Sequence, residues 1–300
     1  MKPTVFIHTN HRQKVGALVS QYSLKRNSKS PDSFDVKLID TADHPFIREK
    51  EGQSFLREGA SRVWRYEDLQ SFTPLRFMPP ELMGYQGRAV VIDPDVFAAG
   101  DVWPLLTRDM KGKAICCRPR TGNKGLTGAL ASSVMLLDCE KLTHWRCEAQ
   151  FNELFEFKRD YMDWITLKLE PRETIGLFEH EWNDFDHLTP QTKLLHNTKR
   201  HTQPWKSGLP FDFVPATKKV VASQPGTWIR PLKKLFSRTS GMTHYAPHPD
   251  PNQERFFFGL LRECLDQGLV SEAMLQEEMR QNHVRHDALE VLERTPPLAA

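Results

Sequence analysis

The run Arg88-Ala89-Val90-Val91-Ile92-Asp93-Pro94-Asp95 constrains this chain more than any other stretch. Ala89 to Ile92 is continuously apolar and mostly β-branched, the pattern of a strand covered on both faces. Pro94 lacks the amide proton a ladder needs, so the strand stops there. Asp93 and Asp95 then stand at the carboxyl end of a buried strand, where open α/β sheets hold their ligands. Two carboxylates this close repel unless a cation lies between them. An all-oxygen pair with room for water and phosphate suits a hard divalent ion such as Mg²⁺ or Mn²⁺. Asp-Pro-Asp is also good turn chemistry, so the pair alone leaves a plain turn open.

The segments around this run supply a sheet for it. Thr4 to His8 reads as a first strand, Gln13 to Arg26 as an amphipathic helix, and Phe34 to Ile39 as a second strand. That order is a βαβ opening, which implies a parallel sheet with a right-handed crossover. The first loop, Thr9-Asn10-His11, has no Gly-x-Gly-x-x-Gly, so the dinucleotide fingerprint is absent and a mononucleotide or nucleotide-sugar stays open. Thr41 to Gln70 reads as loop and short helix. Thr73 is suited to cap a short helix with Pro74 in its first turn. Arg76 lies in an otherwise apolar run and reads either as a surface arginine or as a guanidinium gripping phosphate. Ala98 to Asp109 reads as short helix or loop. Ala114 to Cys117 and Ser132 to Asp138 read as strands, with the basic, glycine-rich loop Arg118 to Gly128 between them. Cys139 to Phe155 is helical, and Leu194 to His196 is a last short strand. Glu254 to Leu292 reads as two helices with Leu260, Leu261, Cys264, Leu265 and Leu269 on one stripe.

Charge and cysteine usage narrow the setting. The 41 basic and 38 acidic side chains leave +3, too little for a nucleic-acid polymer as partner, so anion recognition must be local. Five cysteines, an odd number with no Cys-x-x-Cys, fit free thiols in a reducing cytoplasm. The first apolar run, Thr4 to His8, is too short for a signal peptide or a membrane span. Trp228 to Phe236 interleaves basic and apolar side chains and suits peripheral contact with the inner membrane surface, or packing against the rest of the chain.

Four pieces, in this order, resemble glycosyltransferase family 8, which includes glycogenin and bacterial lipopolysaccharide galactosyltransferases. They are Phe72 to Phe77 with Pro80-Glu81-Leu82 and Gly84-Tyr85 behind it, and Arg88 to Val102 with its Asp93-Pro94-Asp95 triplet and its Gly100-Asp101 pair. Then come Ser132 to Asp138, and His196 followed by Pro204-Trp205. The resemblance covers roughly residues 4 to 210. It implies an α/β GT-A fold: a Rossmann-like nucleotide-binding domain with a mixed central sheet. It also implies retaining, metal-dependent transfer from a UDP-sugar to a glycan, lipid-linked, protein or small-molecule hydroxyl. By the resemblance, Asp93, Asp95 and His196 hold Mn²⁺ (or Mg²⁺) and Arg76 binds the diphosphate or sugar. Thr9 and Asn10 line the uridine, and Asp163 faces the donor sugar, its alternative being a helix N-cap.

The chain departs from the family pattern at Ala131 or Ser132, depending on alignment, where Asn stands, at Ser133, where Gly stands, and at Gln203, where Lys stands. Ser132 and Ser133 then occupy donor-site positions, and Lys199, Arg200 or Lys206 supplies the phosphate charge instead. These departures keep two alternatives open, a non-catalytic nucleotide-sugar-binding subunit and another Asp-metal enzyme such as a nucleotidyltransferase. The division expected is a catalytic domain over residues 1–213, a basic, proline-rich connector over 214–252 and a mostly helical appendage over 253–300, docked on the domain or on a second copy in a homo-oligomer.

Overall fold

The computed structural model describes residues 1–120, 128–213 and 243–298. The chain opens as β1 (Thr4–Thr9), α1 (Lys14–Arg26) and β2 (Asp35–Asp40), with β1 and β2 parallel in the register Thr4 to Asp35 through Thr9 to Asp40. After the short α2 (Pro45–Arg48) comes an antiparallel hairpin, β3 (Ser54–Arg57) and β4 (Ala60–Val63), where the sequence predicts only loop and short helix. Glu58 and Gly59 both have positive φ, 54° and 69°, the two-residue turn that matches strand twist. A 3₁₀ turn over Thr73–Phe77 comes next. Its N-cap is Phe72 and no side chain caps it, so Thr73 does not have the expected capping role. Then come α3 (Pro79–Leu82), β5 (Arg88–Ile92), β6 (Val96–Ala98) and α4 (Trp103–Leu106).

The middle of the chain adds β7 (Ile115–Pro119), β8 (Leu130–Asp138), α5 (Cys147–Phe155), α6 (Tyr161–Ile165), β9 (Ile175–Leu177), β10 (Asp184–Phe185) and β11 (Leu194–His196). Most of the expected loop Arg118 to Gly128 lies outside the described residues, as do Val220 to Ser240 and the Trp228 to Phe236 stretch. The main sheet has six strands in the order β2-β1-β5-β8-β7-β9. It is mixed: β1 pairs β2 and β5 in parallel, and β8 runs antiparallel to β5 and β7. The architecture is the expected Rossmann-like α/β domain with a mixed central sheet. Val90, Val91 and Ile92 are fully buried, as a strand covered on both faces requires.

A second, three-stranded sheet, β10-β11-β6, stands beside the first. Polar side chains of α1 and the residue after it clamp one edge of β6. Ser20 Oγ donates to the Val96 carbonyl (2.5 Å), Asn27 donates to that of Ala98 (2.7 Å), and the Ala98 N–H donates to Ser23 Oγ (2.9 Å). This short strand has only three residues, and it begins just ahead of a stretch expected to be helix or loop.

The carboxy-terminal part holds three helices rather than two: α7 (Pro251–Asp266), α8 (Glu272–Arg280) and α9 (Ala288–Arg294). Leu260, Leu261 and Cys264 are buried as expected, while Leu269 is 49% exposed because it lies beyond the end of α7. The helices share a core with α1, Phe97 and Trp205. Phe257 stacks on Trp205 at 4.7 Å and meets Phe97 edge-on at 5.3 Å. Glu263 accepts from Arg26 (2.5 and 3.0 Å) and Tyr22 (2.8 Å), both on α1. Among the described residues no helix is long and apolar enough to cross a membrane.

Candidate metal centre

Asp93 comes directly after β5, and its N–H donates to the Ser133 carbonyl at 3.0 Å, one more rung of the β5–β8 pairing. Pro94 then turns the chain, and the turn sits against α1 at Gly16. A Cβ at that position would meet the Pro94 carbonyl oxygen at 2.9 Å, so the close approach requires glycine. Asp95 leads into β6. The antiparallel register of β6 with β11 sets His196 opposite Val96, next to Asp95. The Asn197 N–H extends that pairing by donating to the Asp95 carbonyl at 3.1 Å. About a hundred residues of sequence separation thus close through one short strand pair, and Asp93, Asp95 and His196 bring one ligand atom each within 4.8 Å of one another.

The neighbours of these three orient them. Arg76, buried rather than on the surface, donates from Nη2 to Asp93 Oδ1 (2.6 Å) and from Nη1 to Ser132 Oγ (2.6 Å). Ser132 in turn donates to the Ile165 carbonyl. Fully buried His8 lies with Nε2 at 2.9 Å from the same Asp93 oxygen, though neither ring nitrogen has a hydrogen-bond alignment. Burial alone would raise the Asp93 carboxyl. Arg76, His8 and His196 outweigh it and hold the group well below the usual carboxylate range. His8 itself is lowered, chiefly by burial, against the pull of Asp93.

His196 Nδ1 lies 2.8 Å from Asn183 Oδ1, and the Asn183 amide donates its Nδ2 to Ser133 Oγ at 3.0 Å. This network assigns the proton to Nδ1 and turns Nε2 toward Asp95 Oδ1, 3.2 Å away. Burial pushes the imidazole down, but Asp95 first, then Asp93 and Asp186, more than offset it, and the net shift is upward. Asp95 Oδ2 accepts from Gln203 Nε2 at 3.0 Å, whereas its buried Oδ1 has no hydrogen-bond partner. A carboxylate oxygen that meets only an imidazole nitrogen, with a second carboxylate close by, is a donor set that fits one divalent cation.

The remaining expected residues fall into two groups. Thr9 and Asn10 are buried at the end of β1. Asn10 is fully engaged: Nδ2 donates to Ser71 Oγ (3.0 Å) and to the Asp68 and Leu69 carbonyls (3.3 Å each), and Oδ1 accepts from the Arg12 N–H. It ties the 68–71 loop to the sheet. Lys199 and Arg200 line a cavity of about 800 Å³. The second group is committed to other partners. Lys206 is fully buried in an ion pair with Asp212 (2.5 Å), which also accepts from Tyr245 (2.5 Å), so its ammonium is spent on closing the 206–212 and 243–246 segments together. Asp163 pairs with Lys168 at 2.7 Å and its side chain is 41% exposed; the N-cap of α6 is Asp160, not Asp163. His8 and Asn183 are site residues that the sequence does not mark, and Gln203 holds a ligand where only a lost lysine was expected. Each touches a ligand only through tertiary contact, and no local motif signals that role.

No protein-family model matches the sequence, and neither does any curated protein sequence. Among solved structures, the chain is similar to the galactosyltransferase LgtC, solved with donor and acceptor sugar analogs. The two are 14% identical with a TM-score of 0.47, over 67% of this chain and 89% of that one. It is similar to the glycosyltransferase GlyE of Streptococcus pneumoniae TIGR4 at 13% identity and a TM-score of 0.49, over 90% of this chain and 64% of that one. Mouse xyloside xylosyltransferase 1 is 14% identical with a TM-score of 0.42, over 66% of this chain and 98% of that one. These neighbours are glycosyltransferases. Their likeness is one of outline, and the chemistry of this chain rests on the residues around Asp93, Asp95 and His196.

Proposed function

We propose that this chain is a metal-dependent glycosyltransferase that moves a sugar from a UDP-sugar to a hydroxyl acceptor. The observation that supports it most is the Asp93, Asp95 and His196 group at the carboxyl end of β5, with Asp95 Oδ1 buried and met only by the His196 imidazole. Asp93, Asp95 and His196 would hold Mn²⁺ or Mg²⁺. When bound, the cation supplies positive charge to the diphosphate as the sugar–phosphate bond breaks. Arg76 keeps Asp93 ionised and aimed, and Asn183 keeps His196 turned so that Nε2, once deprotonated, would face the cation between Asp93 and Asp95. Lys199 and Arg200, on the loop after His196, would add charge along the phosphates. Asp163 would serve the donor sugar with the carboxylate oxygen that Lys168 leaves open. Retention of anomeric configuration is carried over from the family resemblance alone.

One observation favours a second reading. Asp93 Oδ1 and Asp95 Oδ2 are already engaged, by Arg76 and Gln203, which leaves one oxygen on each carboxylate. A binder of nucleotide-sugar without turnover needs no more than that. UDP release from UDP-sugars, measured with and without Mn²⁺, separates the two: the enzyme releases UDP only with metal, and the binder takes up UDP but releases none from its sugars. Metal-independent release, or no UDP binding at all, overturns both.

A further inference from the structure

The cavity of about 800 Å³ is walled by the β3–β4 hairpin, the 68–71 loop, Tyr161 and the 198–202 loop after His196, and its lining carries five cations against two carboxylates. The excess is not evenly answered. Arg65 is paired with Glu51 at 3.1 Å, and Arg200 donates to Gln70. Arg57 and Arg62, both half-buried, pair with no carboxylate among the described residues. Holding two partly desolvated guanidinium groups on one cavity wall with no carboxylate paired to either is costly, and an anionic ligand removes that cost.

The hairpin register makes this placement specific. Phe55 is directly opposite Arg62, and Arg57 is opposite Ala60. Cross-strand partners and alternate residues share a face, so Phe55, Arg57 and Arg62 stand on one side of the hairpin. That side faces the cavity, for Phe55 packs edge-on against Tyr161 (5.8 Å) and Trp64 (5.6 Å). Arg57 lies over the Tyr161 ring at 4.9 Å, and among the described residues its guanidinium N–H groups make no hydrogen bond. The Gly59 N–H donates to Asp160 Oδ2 at 2.8 Å and pins the hairpin tip to the cap of α6. The result is a pair of arginines on one wall of the cavity, Arg57 seated on Tyr161 and Arg62 opposite Phe55, suited to bidentate capture of a carboxylate or phosphate next to a sugar ring.

We propose that Arg57 and Arg62 form an acceptor site and that the acceptor is an anionic sugar, bearing a carboxylate or phosphate group near its reacting hydroxyl. This rests on the glycosyltransferase reading, in which the donor diphosphate is served from Asp93, Asp95, His196 and the Lys199–Arg200 loop, not from the hairpin.

The test is calorimetric titration of the full chain with glucuronic acid, glucose 6-phosphate and glucose, alongside UDP with Mn²⁺. At least one acidic probe should bind, with glucose at least tenfold weaker, and the stronger acid names carboxylate or phosphate as the group. Arg57→Gln with Arg62→Gln should weaken that probe at least tenfold and leave UDP binding within about twofold; Arg57→Lys with Arg62→Lys should recover part of it, which separates charge from folding. Glucose binding as well as the acids, no acid binding, or equal loss of UDP and acid in the glutamine variant would each overturn the proposal. Failure of UDP to bind the parent protein would instead strike the reading of the metal group.

Discussion

The two carboxylates of the metal group are held from different sides of the molecule. Asp93 is fixed by the main sheet: its N–H joins the Ser133 carbonyl, and Arg76 spans it and Ser132. Asp95 is fixed by the segment after β11. Gln203 holds one of its oxygens and the Asn197 N–H holds its carbonyl. Asn197 in turn donates to Gln253 Oε1 (2.5 Å), and Gln253, buried in the first turn of α7, donates to the Asp186 carbonyl (2.7 Å). Two residues after Asp95, Phe97 packs against Trp205 and Phe257. The carboxy-terminal helices, expected as an appendage, therefore back one of the three candidate ligands. A site framed from two sides can be spoiled from either, and the signatures differ.

The largest effect is expected at Phe257, buried against Phe97 and Trp205. Phe257→Ala should cost about 3–5 kcal/mol of stability in denaturant unfolding, in one cooperative transition. A separate early transition for the helices would break the shared-frame comparison. Arg76→Lys acts on the other frame. A lysine cannot reach Ser132 and Asp93 with two fixed donors, so turnover should fall about tenfold, about 1.4 kcal/mol, with the unfolding midpoint little changed. Parent-like rates would return Arg76 to a packing role.

Acidification tests the ligand set itself. His196 has its pKa raised above the ordinary 6.5, so in the metal-free protein its proton persists to higher pH and must leave when a cation binds. Mn²⁺ affinity should fall about tenfold per pH unit below that raised value. The stability sign is the reverse: the charged His196–Asp95 contact stabilises the metal-free protein fully below 6.5 and is lost as pH rises through the raised pKa. Mn²⁺ affinity that is flat across this range would remove His196 from the set. The smallest effect is expected at Gln253→Leu, which breaks the link from α7 to Asn197. Mn²⁺ affinity should drop roughly threefold with the fold intact, a weaker version of the loss usual for outer-shell partners. No change would mean that α7 supports the fold but not the ligand.

The buried strand and its two aspartates were legible because their signals are local: a continuous apolar run, then a proline between carboxylates. The βαβ opening was legible for the same reason, and β1 and β2 pair in parallel as expected. The elements that escaped are set by distant contacts. The β6 strand has three residues and exists because α1 and β11 hold its two edges. The hairpin at Ser54–Val63 carried a turn signal in Glu58-Gly59, but its strands are short and its arginines obscure the alternation. His8 sits in a strand that reads as ordinary until Asp93 is placed beside it. Lys206 reads as available for phosphate in the sequence because its pairing with Asp212 forms only in the folded chain.

The most direct test of the metal centre is Mn²⁺ titration followed by the paramagnetic resonance signal of the free ion. The parent chain should take up one ion, with UDP tightening its grip, and Asp95→Asn and His196→Gln should each weaken uptake at least tenfold while leaving thermal unfolding cooperative. A parent chain that leaves the free-ion signal unchanged, or variants that bind Mn²⁺ as well as the parent does, would contradict the assignment of Asp93, Asp95 and His196 as a metal centre.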